Sequence, residues 1–261
     1  MIDLHSHVLP EMDDGAKDQK TALAMLGLAV ASGTGTIVAT PHVIENAHRP
    51  AWETVVEECR KLAAASEQQG TNIRICPGAE VAMAYDSLAY LEKPGPYCIN
   101  NSNYILVELP THIIPEYTDE FFFVLQTRGF YPVLAHPERN IELSHHPERL
   151  AEWINRGILV QINGSSLMGK MGDKVRRFAE LLVARNMVHC LGSDAHGFNS
   201  RRPMLDGATA KLASLAGPQK AKEITATTPG KILRGEEFIP QAISECTKKN
   251  GVFSRLFGRL L

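Results

Sequence analysis

The sequence predicts a single-domain α/β protein, a closed or nearly closed (β/α) barrel of seven units, and three observations carry that expectation. Apolar, β-rich runs alternate with amphipathic helical patterns along the chain. The runs are near-continuous in apolar residues, as strands of a parallel sheet covered by helices are. Their ends, at His5, His42, Glu80, Glu108, His136, Asn163 and Asp194, recur every 27–38 residues, about one βα unit each. An open doubly wound sheet is the alternative, but its first turn usually carries a glycine fingerprint, which is absent here.

The first run covers residues 2–7. A helix face follows in Ala22, Leu23, Met25, Leu26, Ala29 and Val30, and Gly33 ends it. The second run covers 35–42. A helix over 52–69 stops at Gly70, before the third run at 72–80. The fourth run, 104–110, leads into a helix over 115–128 that Gly129 terminates. The fifth run, 131–138, precedes a helix over 147–156 ended by Gly157. The sixth run, 158–164, and the seventh, 188–196, are followed by helices over 173–186 and 204–215. No low-complexity segment or internal linker interrupts the series.

Composition narrows the function. The chain has 261 residues, 44% hydrophobic and 21% charged, enough for one large buried core. Its 27 Lys and Arg against 29 Asp and Glu give a formal charge of −2, which argues against a nucleic-acid binder. No apolar run approaches the ~18–20 residues of a membrane-spanning helix. The first residues carry no basic stretch followed by an apolar segment, so no signal peptide is expected. Cys59, Cys76, Cys98, Cys190 and Cys246 are scattered and never form C-x-x-C, a reduced, cytosolic pattern. Six residues after them stand Ala65, Ala82, Tyr104, His196 and Val252, none of them Arg. The thiolate loop of the common cysteine phosphatases is therefore excluded.

The chemistry sits at the strand ends, which in a parallel barrel all open at one mouth. There the sequence places His5, His7, His42, Glu80, Glu108, His136, Asp194 and His196, with Asp14 in the loop after the first strand. The i, i+2 spacing within His5/His7 and Asp194/His196 sets each pair on one face of an extended segment. Nine ligand-type residues exceed what one ion needs. A cluster of two or three ions would share them, with a carboxylate such as Glu80 bridging. Imidazole and carboxylate without thiolate suit Mn²⁺, Fe²⁺ or Zn²⁺. A lone histidine is more often structural than ligating, the reading given to His48, His112, His145, His146 and His189. Agreement across several strand ends is what a metal cluster explains.

In order along the chain, His5-x-His7, Asp13-Asp14-Gly15, Thr40-Pro41-His42, Gly78-x-Glu80, His136-Pro137-Glu138-Arg139 and Ser193-Asp194-Ala195-His196 resemble the PHP superfamily. More narrowly, the chain resembles its bacterial protein-tyrosine phosphatases associated with capsule and exopolysaccharide synthesis. That resemblance implies a distorted (β/α)7 barrel over residues 1–240 holding three divalent ions, manganese first, with iron or zinc as alternatives. It implies one ion held by His5, His7, Glu80 and Asp194, a second by Glu80, Glu108 and His136, and a third by Asp14, His42 and His196. Asp13 is the nearest competitor for the Asp14 role, but it better suits shaping the turn before Gly15, where an acidic residue can hydrogen-bond nearby backbone. The resemblance adds Arg139 and Arg201 as phosphate clamps, since a planar guanidinium grips phosphate oxygens in pairs. Arg202 adjoins Arg201, and Gly197 stands where the family commonly has Asn.

The implied reaction is metal-assisted hydrolysis of a phosphomonoester without a covalent phosphoenzyme, because metal binding brings the pKa of water from ~15.7 toward ~7. Tyrosine phenolate, with a pKa of about 10, leaves more readily than a serine alkoxide, so no dedicated general acid is named. The implied substrate is the phosphorylated tail of a membrane-anchored bacterial tyrosine autokinase, met in the cytoplasm. Two alternatives remain: the histidinol-phosphatase activity of a sister PHP group, and a non-catalytic partner-binding module that keeps metals for structure. Residues 241–261 form a separate tail. There Val252, Phe253, Leu256, Phe257, Leu260 and Leu261 make one apolar stripe among Lys248, Lys249, Arg255 and Arg259. It suits either docking to an anionic membrane surface or packing on protein.

Overall fold

The computed structural model describes residues 1–243. The chain begins with β1 (Ile2–Ser6), α1 (Gln19–Ala31), β2 (Thr36–Ala39), β3 (His42–Val43), α2 (Trp52–Gln68), β4 (Arg74–Pro77) and β5 (Glu80–Ala82). It continues through β6 (Tyr104–Glu108), α3 (Thr118–Thr127), β7 (Tyr131–Ala135), α4 (Ile141–His145), α5 (Pro147–Asn155) and β8 (Leu159–Asn163). The last elements described are α6 (Gly164–Leu167), α7 (Asp173–Ala184), β9 (Cys190–Gly192), α8 (Asp206–Ala216), α9 (Pro218–Lys222) and α10 (Thr228–Arg234). Every pairing between these strands is parallel.

All seven expected strand runs are present, but those over 35–42 and 72–80 are each cut in two. Pro41 has no N–H for a ladder, so β2 ends and β3 begins across it. At Gly78 the chain passes so close to β2 that a Cβ would lie 2.8 Å from Val38 Cγ1. The outcome is a three-stranded sheet in the order β1-β2-β4 and a six-stranded sheet in the order β3-β5-β6-β7-β8-β9. The free edges of β1 and β9 meet just beyond β9. Asp194 N donates to His5 O at 2.8 Å and His7 N to Ala195 O at 2.9 Å, with a parallel bridge between Ser6 and Ala195. The ladders themselves form two sheets rather than one continuous ring.

Strand alternation sorts the core into layers. On β6, Ile105 and Val107 face outward into a cluster with Phe121 and Leu125 of α3, Trp153 of α5 and Leu182 of α7. Tyr104 and Leu106 face the other way, joining Leu4, Val38, Val133 and Leu159 around Ile232 and Leu233 of α10. Tyr104 OH donates to Glu236 O at 2.8 Å, tying the segment after α10 to the start of β6. The end of β6 that carries Glu108 is thus left for the site. Ala22, Met25, Leu26 and Ala29 of α1 pack with Val55 and Leu62 of α2 over β2. Val30, expected on that face, is 37% exposed.

Gly33, Gly70, Gly129 and Gly157 close their helices at φ between 73° and 93°, as expected of helix-stopping glycines. The helix expected from 115 begins only at Thr118, because a turn bonding Thr118 N to Pro115 O precedes it. The short helices α4, α6, α9 and α10 were not anticipated. Cys59, Cys76, Cys98 and Cys190 are buried free thiols. Among the described residues no helix is long and apolar enough to cross a membrane. The amphipathic stripe expected over 248–261 lies outside the described residues.

Candidate metal centre

The nine ligand-type residues come together at the strand ends, around the buried carboxylate of Glu80 at the start of β5. Glu80 Oε2 lies 3.1 Å from His5 Nε2, 3.2 Å from His7 Nε2 and 3.2 Å from His42 Nδ1. Its other oxygen, Oε1, lies 2.8 Å from His136 Nε2, which is 3.5 Å from Glu108 Oε1. Asp14, the most exposed of the set, sits 3.4 Å from His42 Nε2 and 3.3 Å from His196 Nε2. Asp194 Oδ1 approaches His5 and His7 at 3.7 and 3.6 Å. His136 and Asp194 reach these places with left-handed backbone, φ 29° and 51°. For a residue with a Cβ that conformation costs on the order of 1–3 kcal/mol, and it turns each side chain into the centre as its strand ends.

The imidazoles suit metal ions by a test internal to the hydrogen bonding. His5 donates Nδ1–H to Gln161 Oε1 at 2.9 Å, and His7 donates Nδ1–H to Asp13 Oδ2 at 2.6 Å. His196 donates Nδ1–H to the Asp194 carbonyl at 3.0 Å. In the neutral rings each Nε2 then keeps its lone pair, the pattern of ligating histidines held from behind. The Nε2 atoms of His5 and His7 face each other at 3.2 Å, and His196 Nε2 is buried without a hydrogen bond, 3.3 Å from Asp14 Oδ1. Two donors on one ion, each about 2.1 Å away at 90–110°, would lie about 3.0–3.4 Å apart.

Three overlapping groups have ligand atoms within 4.8 Å of one another: His5, His7 and Glu80; His42, Glu80 and Glu108; and His7, Asp14, His42 and His196. The first and third correspond to two of the implied sets, with Asp194 beside the first and His7 added to the third. In the second, His42 joins Glu80 and Glu108, while His136 Nε2 also faces both carboxylates, at 2.8 Å from Glu80 Oε1 and 3.5 Å from Glu108 Oε1. Asp13 does not compete for the Asp14 role. Its Oδ1 accepts from Gly15 N at 2.9 Å and its Oδ2 from His42 N at 3.0 Å, so it shapes the turn and holds His7 from behind.

The two arginines meet on Asp194. Arg139 Nη1 donates to Oδ2 at 2.9 Å and Arg201 Nη2 to Oδ1 at 2.7 Å. Each remains about a third exposed, while the neighbouring Arg202 points into solvent. His196 N donates to Arg201 O at 3.0 Å, closing the loop in which Gly197 sits. His48, His112, His145 and His146 belong to none of the three groups. His189 is buried away from them, accepting from Val160 N through Nδ1 at 3.0 Å.

Burial disfavours charge on His7, His136, Glu80 and Asp194, and their partners reverse it, whereas Glu108 and His196 remain shifted toward the neutral form. Burial opposes protonation of His7, yet hydrogen bonds to Asp13 and Glu80 bring it up to about 10. His136 is likewise raised to about 9, with Glu80 overcoming burial. Against burial, His5 and His136 hold the Glu80 carboxyl well below the usual range, and Asp194 is lowered by the same two histidines. Burial and the charge of Glu80 push Glu108 up. Burial, then the charges of His7 and Arg201, bring His196 down to about 4. The centre demands positive charge, which divalent cations supply in place of protons.

Two residues that the sequence analysis left aside belong here, Gln161 and Asn163 of β8. Both are buried; Gln161 Nε2 donates to Asn163 Oδ1 at 2.9 Å, and Asn163 Nδ2 to Asp194 Oδ2 at 2.7 Å. The signal was an amide pair at i, i+2 closing an otherwise apolar strand.

A family model for capsular polysaccharide synthesis, CpsB/CapC, matches residues 1–234. The tyrosine-protein phosphatase YwqE of Bacillus subtilis is 35% identical over 201 residues, 77% of this chain and 79% of that protein. The tyrosine-protein phosphatase CpsB of Streptococcus pneumoniae is 30% identical over 238 residues, 89% of this chain and 98% of that protein. A crystal structure from work on those two proteins, described as unique metal-dependent tyrosine phosphatases, superposes with a TM-score of 0.87 at 30% identity. That match covers 95% of this chain and 100% of the other. Histidinol phosphate phosphatase from Lactococcus lactis, solved with zinc, L-histidinol and phosphate, has a TM-score of 0.56 at 15% identity, covering 86% of this chain and 94% of that one. With it the likeness is one of fold.

Proposed function

The chain belongs to the CpsB/CapC family of capsular polysaccharide synthesis, and on that premise we propose that it is a metal-dependent protein-tyrosine phosphatase. The observation that carries the proposal is the convergence of five imidazoles and four carboxylates on one mouth, with two arginines at its edge. A cysteine mechanism is disfavoured because the four thiols among the described residues are buried, with burial pushing Cys59 and Cys98 up to about 12.

In this reading three divalent ions, manganese before iron or zinc, are shared by the nine residues. His5, His7, Glu80 and Asp194 would hold one, Glu80, Glu108 and His136 a second, and Asp14, His42 and His196 a third. When bound, such ions make water nucleophilic near neutral pH and draw charge from phosphoryl oxygens. Asp13, Gln161 and the Asp194 carbonyl keep the ligating rings turned inward. Arg139 and Arg201, about a third exposed beside Asp194, bind the phosphoryl oxygens and stabilise the charge that grows on them in transfer. A phenolate leaving group needs little proton donation, which fits a centre without a dedicated acid. The hydrogen bonds joining β1 to β9 support treating the two sheets as one distorted (β/α)7 barrel. The substrate is the phosphotyrosine tail of a membrane-anchored tyrosine autokinase, met in the cytoplasm, and its dephosphorylation regulates capsular or extracellular polysaccharide synthesis.

Phosphate release from a phosphotyrosine peptide and from histidinol phosphate, measured side by side with Mn²⁺ for wild type and His136→Ala, tests this. The expected result is preferential release from the peptide, lost in the variant. Preference for histidinol phosphate would keep the metal chemistry and overturn the substrate. No release from either, with metal bound, would make the chain a binding module.

A further inference from the structure

β8 is the strand from which no ligand was expected, yet its last polar residues connect two proposed ligands from different strands. The connection runs His5 Nδ1 to Gln161 Oε1, Gln161 Nε2 to Asn163 Oδ1, and Asn163 Nδ2 to Asp194 Oδ2, at 2.9, 2.9 and 2.7 Å. Gln161, Asn163 and His5 are fully buried, so no bulk water substitutes for any member.

The direction of the chain is forced from its far end. An ionised carboxylate can only accept, so Asn163 must present its amide nitrogen to Asp194. Its amide oxygen then faces Gln161, which must answer with nitrogen. Gln161 therefore offers its oxygen to His5, and His5 must carry its proton on Nδ1. The lone pair of Nε2 is left facing Glu80 and His7. The charge on Asp194 thus dictates the tautomer of His5 through two amides.

Two other features hold the amides in place. Asn163 N donates to the buried Glu138 Oε1 at 2.9 Å, fixing the end of β8 beneath the loop that carries Arg139. Gly192 on β9 leaves the space: a Cβ there would lie 2.6 Å from His5 Cβ and 2.8 Å from Gln161 Nε2.

We propose that Gln161 and Asn163 are positioning residues, which set the ligating tautomer of His5 and orient the Asp194 carboxylate so that both serve the same ion. The proposal rests on the metal reading above. A purely structural amide pair would affect folding when replaced; a positioning pair affects metal affinity in a chain that still folds.

Calorimetric titration of the metal-free chain with Mn²⁺, alongside thermal melting without metal, separates the two. Gln161→Met removes both hydrogen bonds at similar size; Gln161→Glu keeps the acceptor facing His5 but offers Asn163 Oδ1 no donor, so it restores the His5 half alone. The expected result is Mn²⁺ affinity about 10–100-fold weaker in Gln161→Met and substantially recovered in Gln161→Glu, as for other groups that orient a ligating histidine. The metal-free melting temperature should fall in Gln161→Met, which leaves His5 Nδ1–H and Asn163 Oδ1 unpaired, so affinities are compared at a temperature where both chains are folded. Wild-type affinity in Gln161→Met, or no recovery in Gln161→Glu, would overturn the proposal. Should Gln161→Met not fold, Asn163→Ala carries the same comparison from the Asp194 end. A wild type that binds no Mn²⁺ would instead overturn the metal reading itself.

Discussion

Single residues in this protein divide by what lies behind their polar atoms. His7 and His196 are backed by acceptors that leave one nitrogen facing the centre, whereas His189 spends its acceptor nitrogen on a backbone amide of β8. That difference makes His189 a stability group. Burial, with the charge of Lys220 adding to it, brings its pKa down to about 3. In the unfolded chain a histidine titrates near 6.5. Below that pH the unfolded state takes a proton that the folded state refuses, so stability is lost as pH falls from about 6.5 toward about 3. Between pH 7 and pH 5 this single group should remove about 2 kcal/mol. Denaturant unfolding of wild type and His189→Asn at the two pH values checks it; the variant should lose less, and an equal loss would contradict the assignment. The convergence of the ligand-type residues was legible because all of them but Asp14 stand at or beside the end of a strand run. Gln161 and Asn163 were not, because nothing in a single strand reveals which distant histidine its amides will face.

Secondary-structure elements were legible in proportion to their length. The long helices α2, α5 and α7 fall almost where periodicity set them, whereas α4 spans too few residues to show a period. The broken strands were missed for a related reason. Pro41 and Gly78 both announce an interruption, but only the neighbouring strand decides whether the ladder resumes in the same sheet. Short α4 nevertheless matters to the site, through its cap. Asn140 Oδ1 accepts from Leu143 N at 2.8 Å, while its amide donates to Pro110 O at 2.7 Å and Ile113 O at 3.0 Å. One side chain thus starts α4 and ties down the loop after β6, beside the crevice lined by Glu108, His136 and Arg139. Asn140→Ala should cost about 1–2 kcal/mol, the worth of a cap and the carbonyls left unpaired. Chemical denaturation measures this; an unchanged midpoint would mean the cap is redundant.

Across the whole molecule the succession of seven strand runs and their crossovers was readable, and six of the seven runs ended in ligand-type residues. What was not readable is how the two sheets approach each other: β1 and β9 meet through hydrogen bonds past the end of β9, made by the same residues that bring Asp194 to His5. The meeting of the sheet edges and the assembly of the centre are therefore one event, and the ligands from β1 and from the turn after β9 depend on it. Anomalous diffraction at the manganese edge from a crystal of the Mn²⁺-loaded chain tests this centre most directly. Three anomalous peaks among the nine side chains are expected, with Glu80 touching two of them. A single peak, or peaks away from Glu80, would contradict it.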